Sequence, residues 1–219
     1  MRLPPVTASA AQWIATGRYV GQRARRAGFD DLALPIEAAA EEVKVTRRIW
    51  EDLDEGAATR IADRDAADDV LDLVAQRAKS QLAARAADAT TISPFVDVFP
   101  SGIGYYIDAG LADEVIRYRE LADRLSRFLG QEDPVRLAAV PQVEAGVAAF
   151  EASLDELDAA RRSAALARND YDAAVEALAI LLERSHGALL QRVGKRRTEG
   201  FFPKTRRGVP AAEEEDGEA

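Results

Sequence analysis

The sequence predicts an all-α protein: a pseudo-symmetric up-down helical bundle with two long coiled-coil-like helices and two shorter ones. Three observations lead to it. Hydrophobic residues make up 47% of the chain but aromatics only 6%, so the apolar content is mostly Ala, Leu and Val. Ala, Leu, Arg and Glu favour helices, while the β-branched and aromatic residues that favour sheets are thin. Apolar residues also recur in steps of three and four along two long stretches, which puts one narrow apolar seam on a helix. Finally, the layout occurs twice.

The elements follow in chain order. Trp13, Ile14, Tyr19 and Val20 mark a short amphipathic helix from about Thr7 to Arg26. A long helix is expected from Pro35 to about Ala87, carrying Ile36, Ala39, Val43, Trp50, Leu53, Ala57, Leu71, Val74, Ala78 and Leu82 on its seam. The segment 89–110, with Pro94, Pro100, Gly102, Gly104 and Gly110, reads as a connector. Leu111, Val115, Tyr118, Leu121, Leu125 and Phe128 mark a second short helix, with Gly130 as its expected C-cap. A second long helix follows Pro141. Its seam runs through Val143, Val147, Phe150, Leu154, Leu157, Ala164, Tyr171, Val175, Leu178, Leu182 and Leu189, with Arg161, Arg168 and Ser185 at the remaining seam positions. The polar stretches around Gly56 and from Arg161 to Asn169 leave a break into hairpins open.

Short matches support a duplication. Leu34-Pro35-Ile36-Glu37-Ala38 resembles Val140 to Ala145, Ile61 to Asp65 resembles Leu166 to Asp170, and Val98-Phe99-Pro100 returns as Phe201-Phe202-Pro203. Their order and common spacing carry the argument. The expected organisation is a single bundle over 1–208 made of two repeats, about 7–103 and 107–204, followed by a disordered acidic tail at 209–219. The motifs "VFPSGIG" and "RTEGFFPKTRR" extend the parallel. With them the chain resembles bacterial helical-bundle proteins of duplicated design, Ala- and Arg-rich, each half ending in a Phe-Pro element. That group has no assigned activity, so the resemblance implies architecture alone.

Composition narrows function. The chain has no Cys, which removes disulfides and thiolate chemistry, and a single His, His186, which removes multi-His metal centres. No apolar run reaches the length of a membrane span, and residues 1–5 lack a signal-peptide core, so a cytoplasmic protein without membrane contact is expected. Of the 29 basic residues 25 are Arg, which suggests a GC-rich bacterial genome. A net charge of −9 argues against wholesale nucleic-acid binding.

Four constellations were candidates for chemistry. Glu183 and His186 have the E-x-x-H spacing of di-iron bundles, but the first half lacks a matching motif, so neither metal nor cofactor is expected. Asp65, Asp68, Asp69 and Asp72 share one helical face. Oxygen clusters can hold Mg²⁺ or Ca²⁺, but structural ion pairing of Asp65 or Asp68 with Arg161 and Arg168 is the favoured reading. Ser101 to Gly104 lacks the strand and Lys of a P-loop. The basic residues Arg192, Lys195, Arg196, Arg197, Lys204, Arg206 and Arg207 bracket Phe201 and Phe202 and form a candidate anion-binding segment. Trp13, Tyr19, Tyr105 and Tyr106 are candidate anchors for a protein partner. The expectation is therefore a non-enzymatic structural or adaptor protein that binds a protein partner or self-associates through helix-packing surfaces. The alternative is nucleic-acid or anionic-ligand binding through 192–207.

Overall fold

The computed structural model describes residues 3–5 and 8–203. Lys204, Arg206, Arg207 and the expected tail at 209–219 lie outside the described residues. The all-α class is borne out: the structure is 84% helical, and the described residues contain no strand. The helices are α1 (Ala10–Arg26), α2 (Asp30–Ala83), α3 (Phe95–Val98), α4 (Gly104–Ile107), α5 (Leu111–Phe128) and α6 (Pro134–Thr198). The chain divides into two compact units, one of Met1–Asp52 with Ala165–Ala219, the other of Leu53–Ala164. This division cuts across the expected halves, because α2 and α6 each supply residues to both units.

In the first unit, Ser9 caps α1 through a reciprocal pair. The Gln12 N–H donates to Ser9 Oγ at 3.3 Å, and the Ser9 N–H donates to Gln12 Oε1 at 3.2 Å. At its far end Gly28, at φ +80°, turns the chain through a Schellman motif. The Phe29 N–H reaches Ala24 O at 3.0 Å and the Gly28 N–H reaches Arg25 O at 3.0 Å. This reversal lays α1 antiparallel along α2, where Arg18 meets Glu41 at 3.0 Å and Arg25 meets Glu37. Gly17 makes that approach close. A Cβ there would stand 2.9 Å from Ala40 Cβ. The core is Trp13, Val20 and Ala24 of α1, Ile36, Ala40 and Val43 of α2, and Leu178, Leu182 and Leu189 of α6. Each large side chain buried here contributes about 1.5–3 kcal/mol. Phe201 and Phe202 close it.

The second unit packs α5 between residues of α2 and α6. α5 runs parallel to α2, with Tyr118 meeting Asp72, and antiparallel to α6, with Arg119 meeting Glu151 at 2.8 Å. Its core includes Leu71, Val74 and Leu82 of α2, Leu121 and Leu125 of α5, and Val143, Val147 and Phe150 of α6. The connector folds onto this core. Gly102, at φ +77°, turns the chain so that Tyr106 enters it and donates its hydroxyl to Val98 O at 2.9 Å.

Three local expectations are corrected. Pro35 and Pro141 stand inside α2 and α6 and do not precede them. Both are exposed, and each lies beyond the first turn, so each gives up one bond of the helical ladder. The proline that opens a long helix is Pro134, at the first helical position after Asp133, whose carboxylate accepts the Val135 N–H at 2.9 Å. Gly130 is not a left-handed cap. α5 ends through Leu129, which is extended at φ −107°, buried, and bonded through its carbonyl to Arg136 at 3.1 Å.

Candidate anion-binding site

Four arginines gather at one end of the first unit. α6 is interrupted at Gly194, where φ is +75°, and resumes as one last turn held by the Thr198 hydroxyl donating to Gly194 O at 2.9 Å. Thr198 is fully buried, and Phe201 and Phe202 after it enter the core. Phe201 packs against Phe29 with ring centroids 6.0 Å apart, and Phe202 meets His186 edge-on at 5.3 Å. These anchors bring Arg196 and Arg197 beside the last turn of α1. Together Arg23, Arg26, Arg196 and Arg197 line an open cleft of about 430 Å³, with Ala27, Gly200 and Phe201 completing its wall.

Neighbouring cations are spent elsewhere. Arg25 pairs with Glu37, which raises its already high pKa. Arg192 is bidentate to Asp31 at 2.9 and 2.6 Å and holds that carboxylate below its ordinary range. Among the described residues, no ion pair engages any of the four cleft arginines. Among the described residues, these four arginines thus line one cleft with no ion-pair partner. Of the seven basic residues predicted from sequence, Arg196 and Arg197 line the cleft, Arg192 is neutralised, and Lys195 is exposed outside its lining. Arg23 and Arg26 were missed. Their only sequence signal was an Arg-rich end to the first short helix.

The acidic face of α2 turns toward α5. Asp68 and Asp72 lie one turn apart, as do Glu114 and Tyr118, so the two pairs form successive rungs. Tyr118 donates its hydroxyl to Asp72, and burial together with that carboxylate pushes the phenol pKa up. Glu114 is 2% exposed and its Oε1 has no partner. Burial first, and the hydrogen-bonded Asp68 second, push its carboxyl up to about 8. Such a group is protonated at neutral pH. Among the described residues no group of three His, Cys, Asp or Glu is arranged to hold a metal ion.

The expected ion pairs resolve differently. Asp65 pairs with Arg64, Asp68 lies against Glu114, and Arg168 bonds Asp172 at 3.1 Å. Arg168 also stacks 4.3 Å over the Trp50 ring, which itself stacks on Tyr171 at 5.7 Å. Arg161 is exposed. Both arginines sit beside the seam, so no buried counter-charge is required.

Two of the four proposed anchors are core residues. Trp13 is 3% and Tyr106 1% exposed. Tyr105 is half-buried beneath Arg117 and donates to Glu120 at 2.8 Å, while Tyr19 is exposed. Trp13 also forms part of a groove of about 730 Å³ with Leu3, Pro4, Tyr171 and Val175, rimmed by Arg168, Asp172, Glu176 and Glu183. No helix among the described residues is long and apolar enough to cross a membrane. No family model matches the chain, and no curated protein or solved structure is similar to it.

Proposed function

We propose that this protein is a non-catalytic binding protein for phosphate-rich anions, held in the cleft of Arg23, Arg26, Arg196 and Arg197. The observation that carries this reading is the convergence of four arginines, without an ion-pair partner among the described residues, from segments about 170 residues apart in sequence. Cations at helix C-termini are stabilising singly, but grouping four around one space sets them against each other. A bound anion removes that repulsion. Guanidinium forks suit phosphate oxygens, through paired hydrogen bonds that a lysine cannot copy. The cleft falls within the size range of small-ligand sites and is open enough to take one phosphate run of a longer strand.

The test is fluorescence titration with a short labelled oligothymidylate and, separately, with inorganic tripolyphosphate. Replacing Arg23 and Arg26 with Ala is expected to weaken both by at least about tenfold, each charged contact contributing about 1.5 kcal/mol or more. Tight oligothymidylate binding with no tripolyphosphate binding would make nucleic acid the ligand. Equal affinity in parent and variant would sink the reading.

A second reading, adaptor or self-association, has its own support. Val45 and Ile49 are 44% and 49% exposed and lie one turn apart on α2, an apolar ridge that suits a partner helix. Sedimentation of the parent against Val45→Asp with Ile49→Asp tests it. An unchanged monomer in both removes self-association. The duplication is likewise a proposal, supported by the order short helix, long helix, aromatic closure in α1–α2–Phe99 and in α5–α6–Phe202.

A further inference from the structure

We propose that the cleft of Arg23, Arg26, Arg196 and Arg197 has an intramolecular occupant: the acidic run Glu213, Glu214, Glu215, Asp216 and Glu218 of this same chain, which competes with an external anion. The inference rests on the cleft being an anion site and adds the regulation of that site.

Three observations carry it. The first is position. Gly200 and Phe201 are themselves part of the cleft wall, so the chain leaves Pro203 within a few residues of the four arginines. Nine residues separate Pro203 from Glu213, and at about 3.3–3.6 Å per residue they span up to about 30 Å, more than enough to turn back. The second is charge. Among the described residues the cleft arginines have no ion-pair partner, and residues 213–218 hold five carboxylates with no intervening cation. The third is anchoring. Phe201 and Phe202 are buried and Thr198 is fixed to Gly194, so the root of the acidic segment is fixed at the cleft. A segment tethered this close acts at an effective concentration in the millimolar range. Weak carboxylate–guanidinium contacts then suffice to occupy the site until a phosphate-rich ligand displaces them.

The nearer cations Lys204, Arg206 and Arg207 are the competing partners for the acidic run, and the experiment must separate them from α1. The full chain is prepared with Glu213→Gln, Glu214→Gln, Glu215→Gln, Asp216→Asn and Glu218→Gln. A synthetic peptide of residues 209–219 is then titrated into it by calorimetry at low salt. The same peptide is titrated into this chain carrying Arg23→Ala and Arg26→Ala, and into it carrying Lys204→Ala, Arg206→Ala and Arg207→Ala. The labelled oligothymidylate is titrated into the parent and the neutralised chain.

The proposal expects millimolar-range or tighter peptide binding that disappears with Arg23 and Arg26. It also expects oligothymidylate to bind the neutralised chain about three- to tenfold more tightly than the parent. Absence of peptide binding, or binding lost only with Lys204, Arg206 and Arg207, would overturn it. The two readings fail separately. Oligothymidylate binding that depends on Arg23 and Arg26 but ignores neutralisation of the acidic run overturns the intramolecular contact alone. Peptide binding that depends on Arg23 and Arg26, with no affinity for oligothymidylate or tripolyphosphate, upholds the contact and overturns the phosphate reading.

Discussion

Glu114 lies against Asp68 one helical turn before Tyr118 meets Asp72, so two helices joined in parallel share two rungs, each with a buried group on α5 and a half-buried carboxylate on α2. The lower rung is a carboxyl pair that holds a proton at neutral pH. The upper one is a phenol–carboxylate hydrogen bond. Arg64, with its side chain 16% exposed, is the nearest cation, and it bonds Asp65. Neither rung therefore has a full ionic partner.

A rise in pH from the ordinary carboxyl range to about 8 should act through Glu114. Its folded-state pKa, about 8, stands above the ordinary carboxyl value. The folded state therefore binds the proton more tightly than the unfolded chain. The stabilisation from this group is complete below the ordinary carboxyl range and is lost as pH rises through about 8. Urea unfolding of the second unit should lose up to about 1.4 kcal/mol per pH unit within that window. Glu114→Gln should flatten the profile and exceed the parent above pH 8. An identical slope in both would contradict the account.

Removing the Tyr118 hydroxyl leaves Asp72 half-buried without its donor. Tyr118→Phe should cost about 1–3 kcal/mol in chemical unfolding, whereas Tyr19→Phe, at an exposed position, should be silent. A loss common to both would show that the Asp72 contact is not responsible.

Gly17 sets the separation of α1 and α2. A methyl there meets Ala40 Cβ at 2.9 Å and Leu178 Cδ1 at 3.3 Å. Ala40 Cβ cannot rotate away. Gly17→Ala gains about 1 kcal/mol in helix propensity, but overpacking costs about 1–3 kcal/mol. A net loss is expected, read by thermal unfolding. Adding Ala40→Gly should restore part of it, since the methyl is only transferred across the contact. No recovery in the double variant would rule out this contact as the cause.

Arg168 offers a smaller test. Its guanidinium covers the Trp50 ring, and Arg168→Ala should cost about 0.5–1 kcal/mol and shift Trp50 emission to the red. Unchanged emission would mean that the stack is not populated in solution.

Sequence legibility divides along physical lines. Helical class was legible because Leu71, Val74, Ala78 and Leu82, or Val143, Val147 and Phe150, repeat at steps that only a helix places on one side, and all are buried. Local periodicity records that much. It does not record partners. Asp68 and Asp72 were correctly placed on one face, but that they turn toward α5 depends on packing between segments 46 residues apart. The division into two units was also illegible, because the apolar pattern runs on through Leu53 and Leu157. Pro35 and Pro141 misled because proline past the first turn of a helix costs a ladder bond and marks a boundary from sequence, yet both helices run through it. The cleft depends on Gly194, a single residue inside a continuous helical pattern, whose left-handed backbone redirects Arg196 and Arg197. Nothing local marks Arg23 and Arg26 as their neighbours.

The measurement closest to the central claim is the salt dependence of oligothymidylate binding. With four arginines engaging phosphates, log affinity should fall against log salt with a slope of about −2.8 at about 0.7 per contact on a single strand. Replacing Arg23 and Arg26 with Ala should bring the slope to about −1.4. A parent slope near zero, or one that the two substitutions leave unchanged, would contradict the assignment of the cleft as the binding site.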